Sequence, residues 1–216
     1  MKSTLKKVFG QGIFYTGWGN ALECLVLAVA VYFVSQIYTL LNHGPAILNL
    51  HTALDSAIPV IPIFVIPYNS LQPYIYATLL LFLLFRTKDF QAAALTMIAV
   101  WFVSYAFYYF LQTEVVRPVL TSTDTFSKMV MAVYAGDHPF NDFPSLHTSL
   151  STIMAIYWVK VNKTLGIILS VWTALIVAAT LFIKQHYIAD VVLGLLLAFG
   201  FSALFSHLIL PKKQKA

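Results

Sequence analysis

Charge is what this chain has least of. Asp, Glu, Lys and Arg make up only 10% of its 216 residues, against 60% hydrophobic residues and a mean hydropathy of +0.81. A water-soluble domain of this size could not bury so much apolar surface, so the composition is that of a polytopic membrane protein, read as one compact domain over 1–216. Cysteine is nearly missing as well. Cys24 stands alone, which excludes an intrachain disulfide and a cysteine-based metal site. The tetrapeptide ending at Cys24 precedes the first apolar run instead of following it. No small-residue processing site stands after that run, so the expectation is a retained first span and neither a lipoprotein nor a cleaved signal peptide. Fixed-period repeats and low-complexity segments are absent. The net charge of +5 sits in short loops and tails and not in one groove-sized patch, which argues against a nucleic-acid partner. Nothing in the sequence calls for an obligate protein partner.

What is present is apolar sequence in span-sized pieces. A membrane helix needs about 20 mostly apolar residues. Six stretches qualify, at roughly 20–41, 72–86, 92–111, 146–160, 164–183 and 187–210, predicting an all-α bundle of six transmembrane helices. The run at 58–67 is apolar too, but Pro59, Pro62 and Pro67 each lack a backbone donor, so it reads as an interfacial or re-entrant segment. Basic residues test this topology independently. Lys2, Lys6, Lys7, Arg86, Lys88, Lys160, Lys163, Lys212, Lys213 and Lys215 fall on one face, ten of the thirteen in the chain. By the positive-inside rule that face is cytoplasmic and holds both termini. The expected location is a bacterial cytoplasmic membrane, where these cations meet anionic lipid heads. The other face carries Arg117, Lys128 and Lys184 among six acids, Asp55, Glu114, Asp124, Asp137, Asp142 and Asp190.

Two polar stretches lie on that second face, NDFPSLHTSLS at 141–151 and KQHYIADVVLG at 184–194. His186 and Asp190 are four apart, so on a helix they share a face. The carboxylate can hold the Nδ1 proton and leave Nε2 free, although a simple helix-surface hydrogen bond or a pair of metal ligands has the same spacing. Pro144 and Ser145 make a clean helix start before His147 and Thr148, whose first amides form an anion cradle or merely a capped end. Arg117 can fork two hydrogen bonds to a phosphate, or snorkel. Convergence favours the functional reading, because these residues fall on one side of a topology derived without them. The long connection at about 112–145 carries Arg117 and leads into His147, as functional loops do.

In this order, Arg117-Pro118, PSLHTS at 144–149 and TLFIKQHYIADVVLG at 180–194 resemble the three signature motifs of the type 2 phosphatidic acid phosphatase (PAP2) superfamily of membrane lipid phosphatases. The motif-bearing core spans about 115–195. A looser likeness, DSAIPVIPIFVIPY at 55–68, is to the branch holding inositol phosphorylceramide synthase-like proteins. The resemblance implies a six-helix membrane enzyme that needs neither metal nor cofactor. It implies His186 as the nucleophile that becomes phosphohistidine, Asp190 as its orienting acid, and His147 as proton donor and then base. Arg117, Ser145 and the amides near 146–148 would hold the phosphoryl oxygens, with Thr148 beside them.

Two departures bear on substrate. The family's first motif usually has a lysine seven residues before the arginine, where this chain has Phe110. Its third usually has Ser-Arg six to seven residues before the histidine, where Ala179-Thr180 stand. Lys184 is the nearest replacement cation and Lys128 a remoter one. The leading expectation is hydrolysis of a lipid phosphate monoester or diphosphate at the outer leaflet. The scarcity of cations leans the other way, toward a phosphodiester donor and head-group transfer of the inositol phosphorylceramide or sphingomyelin synthase kind. A non-catalytic lipid-binding or transport protein is the third reading. Glu23, His43, His51, His138 and His207 are given no role. Asp55 is at most a head-group contact, and Tyr105, Tyr108 and Tyr109 form an aromatic belt.

Overall fold

A computed structural model of the chain describes residues 11–211. The basic residues assigned to the tails, Lys2, Lys6, Lys7, Lys212, Lys213 and Lys215, lie outside them. Among the described residues the chain is helical with only isolated β-bridges. The long helices are α1 (Trp18–Leu41), α4 (Leu71–Phe85), α5 (Thr87–Phe110), α7 (Leu146–Val161), α8 (Lys163–Phe182) and α9 (Ile188–Ile209). Three short ones sit between them: α2 (Ala53–Ala57), α3 (Val65–Asn69) and α6 (Thr125–Gly136).

Helices therefore form at all six expected stretches, and four of them, α1, α5, α8 and α9, are long and apolar enough to cross a membrane. The other two, α4 and α7, have 15 and 16 residues. At a rise of about 1.5 Å per residue they reach roughly 22–24 Å, short of a hydrocarbon core of about 30 Å. Their exteriors explain the composition. Leu22, Leu25, Val26, Val29 and Phe33 on α1, and Ile167, Ile168 and Val171 on α8, all point outward. This is a membrane protein: its apolar shell needs lipid, and its polar side chains turn inward.

Helix α5 is the hub, packing against α1, α4, α7 and α9. Ala92, Ala93 and Ala94, all fully buried, keep its flanks thin enough for close approach. Buried hydroxyls are satisfied along the helices: Thr96 donates to Ala92 O, Ser149 to Ser145 O and Ser151 to His147 O. At one end of the bundle Arg86, Lys88, Lys160 and His207 line a common polar recess. The ends of α1, α5 and α8 and the starts of α4, α7 and α9 meet at the other. A small second core of Val65, Tyr68, Val130, Ala179 and Ile183 ties α3 and α6 over this end.

Two expectations change here. The 112–145 connection is no open loop, because Asp124 caps α6 by accepting from the amides of Phe126 and Ser127. The tyrosine belt also dissolves. Tyr105 and Tyr108 are buried, donating to Val34 O and Pro144 O, and only Tyr109 faces outward. The 58–67 segment forms a 3-10 turn at Pro62–Phe64 running into α3, and Ile61 N donates to Phe182 O at the end of α8.

Candidate active site

The two polar stretches meet because α7 and α9 start side by side. Ser145 caps α7, its Oγ accepting from Thr148 N at 3.3 Å, and its own amide donates to Asp190 O on α9 at 3.0 Å. Gly194, one turn further along α9, lets the helices touch. A Cβ there would lie 2.8 Å from Ser145 O and 3.2 Å from Thr148 Cβ. Both histidines are thereby fixed to one backbone joint.

His186 and Asp190 interact, but not as neighbours on one helix face. His186 lies in the turn before α9. Asp190 is the third residue of α9 and caps it, Oδ2 accepting from Tyr187 N at 2.7 Å and facing His186 Nδ1 at 3.3 Å. The carboxylate thus orients the ring by closing the helix start, which leaves His186 Nε2 as the free nitrogen. Backbone bonds from Gln185 N and His186 N to Thr180 O, and a positive φ of 53° at Lys184, shape the turn. His147 holds its position differently. No hydrogen bond engages its ring among the described residues; instead it stacks on Tyr68, centroids 4.1 Å apart and planes 15° from parallel. The two imidazole centroids are 6.1 Å apart.

Both rings line one cavity of about 650 Å³. Its polar end holds Tyr38, Tyr68, Asp137, Asn141, Asp142 and Gln185 with the histidines. Its apolar arm runs between α1, α4 and α5 past Ala28, Val31, Ile75, Leu79, Met97 and Trp101. From Thr39 to Ala28 that arm follows about 16 Å of α1. Among the described residues no lysine or arginine lines it.

The expected phosphate contacts separate into three groups. Arg117 stands behind the wall. It donates through Nη1 to Tyr134 O and Asp137 O and through Nη2 to His138 O and Gln185 Oε1, with its guanidinium 4.9 Å from the Tyr134 ring centroid. It reaches the cavity through Gln185, which sequence reasoning passed over and which only this contact singles out. Ser145 and Thr148 are fully buried in the α7–α9 joint and do not line the cavity, although the first amides of α7 keep the free donors of any helix start. Lys184 points away altogether. Its ammonium donates to Asp55 O at 2.9 Å and Ile58 O at 2.6 Å, so it braces the start of the proline-rich segment. Burial pushes its pKa down, with Asp55 opposing.

Asp55 likewise serves the fold, bonding the Thr52 amide and hydroxyl and accepting from Ile188 N. Burial would raise its pKa, but these hydrogen bonds outweigh that and lower it. Asp142 and Asp137 behave oppositely. Burial, then Asp190, pushes the Asp142 carboxyl well above the usual carboxylate range. Burial raises Asp137 too, against Arg117. Lys128 and the histidines 43, 51, 138 and 207 are all exposed. Among the described residues no three His, Cys, Asp or Glu side chains converge as metal ligands.

Two imidazoles at this separation in one cavity can act on the same ligand, one as nucleophile and the other as proton donor. Such chemistry needs phosphorus about 3–3.5 Å from one ring nitrogen and a leaving oxygen about 2.6–3.2 Å from a nitrogen of the other. Neither the curated proteins nor the solved structures yield a match to this chain. The profile of the PAP2 superfamily does match, over residues 40–204, a stretch that takes in the proline-rich segment, both histidines and Asp190. The chain belongs to the PAP2 superfamily.

Proposed function

We propose that the protein crosses the membrane six times and breaks a P–O bond of a membrane lipid on the extracytoplasmic side through a phosphohistidine on His186. The observation that carries this is His147 and His186, 6.1 Å apart in one cavity, with Asp190 behind the second and an apolar arm long enough for a lipid tail. His186 Nε2 attacks phosphorus while protonated His147 gives its proton to the leaving oxygen. His147 then takes a proton from the acceptor hydroxyl, whose oxygen displaces His186. Asp190 keeps the Nδ1 proton in place and balances the charge of the phosphorylated ring. Gln185 and the first amides of α7 are the donors for equatorial oxygens. Metal enters no step, so full turnover is expected in excess chelator. The positive-inside rule supports the sidedness, since Arg86, Lys88 and Lys160 gather at the end opposite the histidines.

Family membership by itself suggests a lipid phosphatase acting on a monoester or diphosphate. One observation favours the phosphodiester donor instead: Arg117 and Lys184 are both engaged by carbonyls, and no cation lines the cavity. A dianionic group would find little to balance it there. Water as acceptor gives hydrolysis and a lipid alcohol gives head-group transfer, after the same first half-reaction.

The test is covalent labelling with phosphorus-labelled lipid. His186→Ala should abolish both label and turnover. His147→Ala should slow turnover by about a hundredfold or more, as loss of a general acid does. Near-normal turnover in His186→Ala would end the proposal.

A further inference from the structure

We infer that the cavity takes a zwitterionic phosphodiester lipid, with Gln185 Nε2 donating to a phosphoryl oxygen and Asp142 receiving a positively charged head-group nitrogen. This rests on the phosphohistidine reading of the same cavity and names its substrate class.

Two unpartnered groups of opposite kind share that cavity. Gln185 is 3% exposed, and its Oε1 accepts from Arg117 Nη2 at 2.7 Å. Arginine only donates, so the amide oxygen must face it and Nε2 must face elsewhere. That nitrogen is buried and has no hydrogen-bond partner. It is a donor awaiting an acceptor, beside the histidine that attacks phosphorus. Asp142 is 4% exposed, no hydrogen bond engages its side chain, and Oδ2 is buried without a partner.

Asp142 stands among Asp190, Asp137 and Glu114, with Arg117 opposing them. Arg117 spends both terminal nitrogens on three carbonyls and Gln185, leaving only its buried Nε without a partner. A buried carboxyl in such company holds either a proton or a cation. With no lysine or arginine in the lining, the cation has to come with the ligand. Tyr38 and Tyr68 line the same cavity, Tyr68 with one face taken by His147, and aromatic rings attract ammonium groups. A phosphate monoester would bring two negative charges and leave Asp142 unanswered. A polyol head would bring hydroxyls without the charge.

His186 Nε2 forms a bond to phosphorus, the bond from phosphorus to the lipid alcohol breaks, and that oxygen takes the proton of His147. The head group stays on phosphorus. Water or an alcohol next gives its proton to His147 as its oxygen bonds phosphorus, and His186 Nε2 departs with its electron pair.

The experiment compares the purified full chain on phosphatidylethanolamine, phosphatidylcholine, phosphatidylinositol and phosphatidic acid with identical tails, following lipid products and covalent label. The ethanolamine and choline arms separate a primary ammonium from a quaternary one. Either zwitterion should exceed both other lipids by at least about tenfold in kcat/KM, and Asp142→Asn should cut that ratio by about tenfold, mainly through KM. Asp142→Glu, which keeps the charge, should retain part of the preference. If neither variant can be purified folded, the wild-type ranking decides alone. Preference for phosphatidylinositol or phosphatidic acid overturns the inference, as does an equal loss on all four lipids in Asp142→Asn. In those cases a label lost in His186→Ala leaves the phosphohistidine reading standing, whereas no label from any lipid brings down both.

Discussion

Gly194→Ala puts the joint between α7 and α9 to a direct test. The added Cβ would sit 2.8 Å from Ser145 O and 3.2 Å from both Ser149 Oγ and Thr148 Cβ. The first of these is backbone at a helix cap and cannot swing aside. Restoring an ordinary contact of about 3.4 Å requires the two helix starts to part by roughly 0.6 Å. That motion stretches the 3.0 Å bond from Ser145 N to Asp190 O and carries His147 away from His186. Misplacement by about 1 Å typically costs around a hundredfold in rate, so a loss of about tenfold or somewhat more in kcat is expected, with KM little changed. Overpacking should also cost about 1–3 kcal/mol of stability. Gly200 supplies the control on the same helix. A Cβ there meets nothing within 4 Å, so Gly200→Ala should leave turnover intact and gain up to about 1 kcal/mol from helix propensity. Steady-state kinetics and thermal melting of the two purified variants suffice. Wild-type kcat in Gly194→Ala would refute the claim that this contact sets the imidazole spacing.

Substitutions at three further positions probe neighbouring parts of the site. Tyr68→Phe should keep the ring stacked on His147 and hold kcat within about threefold, whereas Tyr68→Ala should free that ring and lower kcat by about tenfold or more; equal losses would show the hydroxyl to be what matters. Lys184→Met should lower stability by about 1–2 kcal/mol through the lost bonds to Asp55 O and Ile58 O, and a large KM increase without a change in melting would instead return Lys184 to phosphate binding. Asp142 predicts a pH effect. Unfolded aspartate titrates near 3.9, and this folded carboxyl well above its usual range, so between those limits the unfolded chain has lost the proton that the folded chain keeps. Stability falls as pH rises through that window. Ligand-free Asp142→Asn should therefore melt above the wild type at pH 7, by about 2–4 °C for each kcal/mol recovered, with the gap closing toward pH 4; a gap unchanged at pH 4 would contradict this.

The extents of the apolar runs and the two polar stretches that carry His147, His186 and Asp190 were readable along the chain, because each is a local property: hydropathy per residue and residue type at fixed spacing. Ser145 as a helix cap was legible for the same reason. The occupation of the cations was not. Arg117 and Lys184 look alike in one dimension, two basic residues on the acidic face. Only the packed chain turns one toward Tyr134, Asp137 and Gln185 and the other toward Asp55 and Ile58, residues at least 126 positions away from Lys184. The same holds for the burial of Tyr105 and Tyr108, for Tyr68 as the support of His147, and for Asp142 and Gln185 as open partners in one cavity. Hydrogen-bond satisfaction is set by whatever folding brings alongside a group, so a sequence can name the donors and acceptors while tertiary structure alone decides which are already taken.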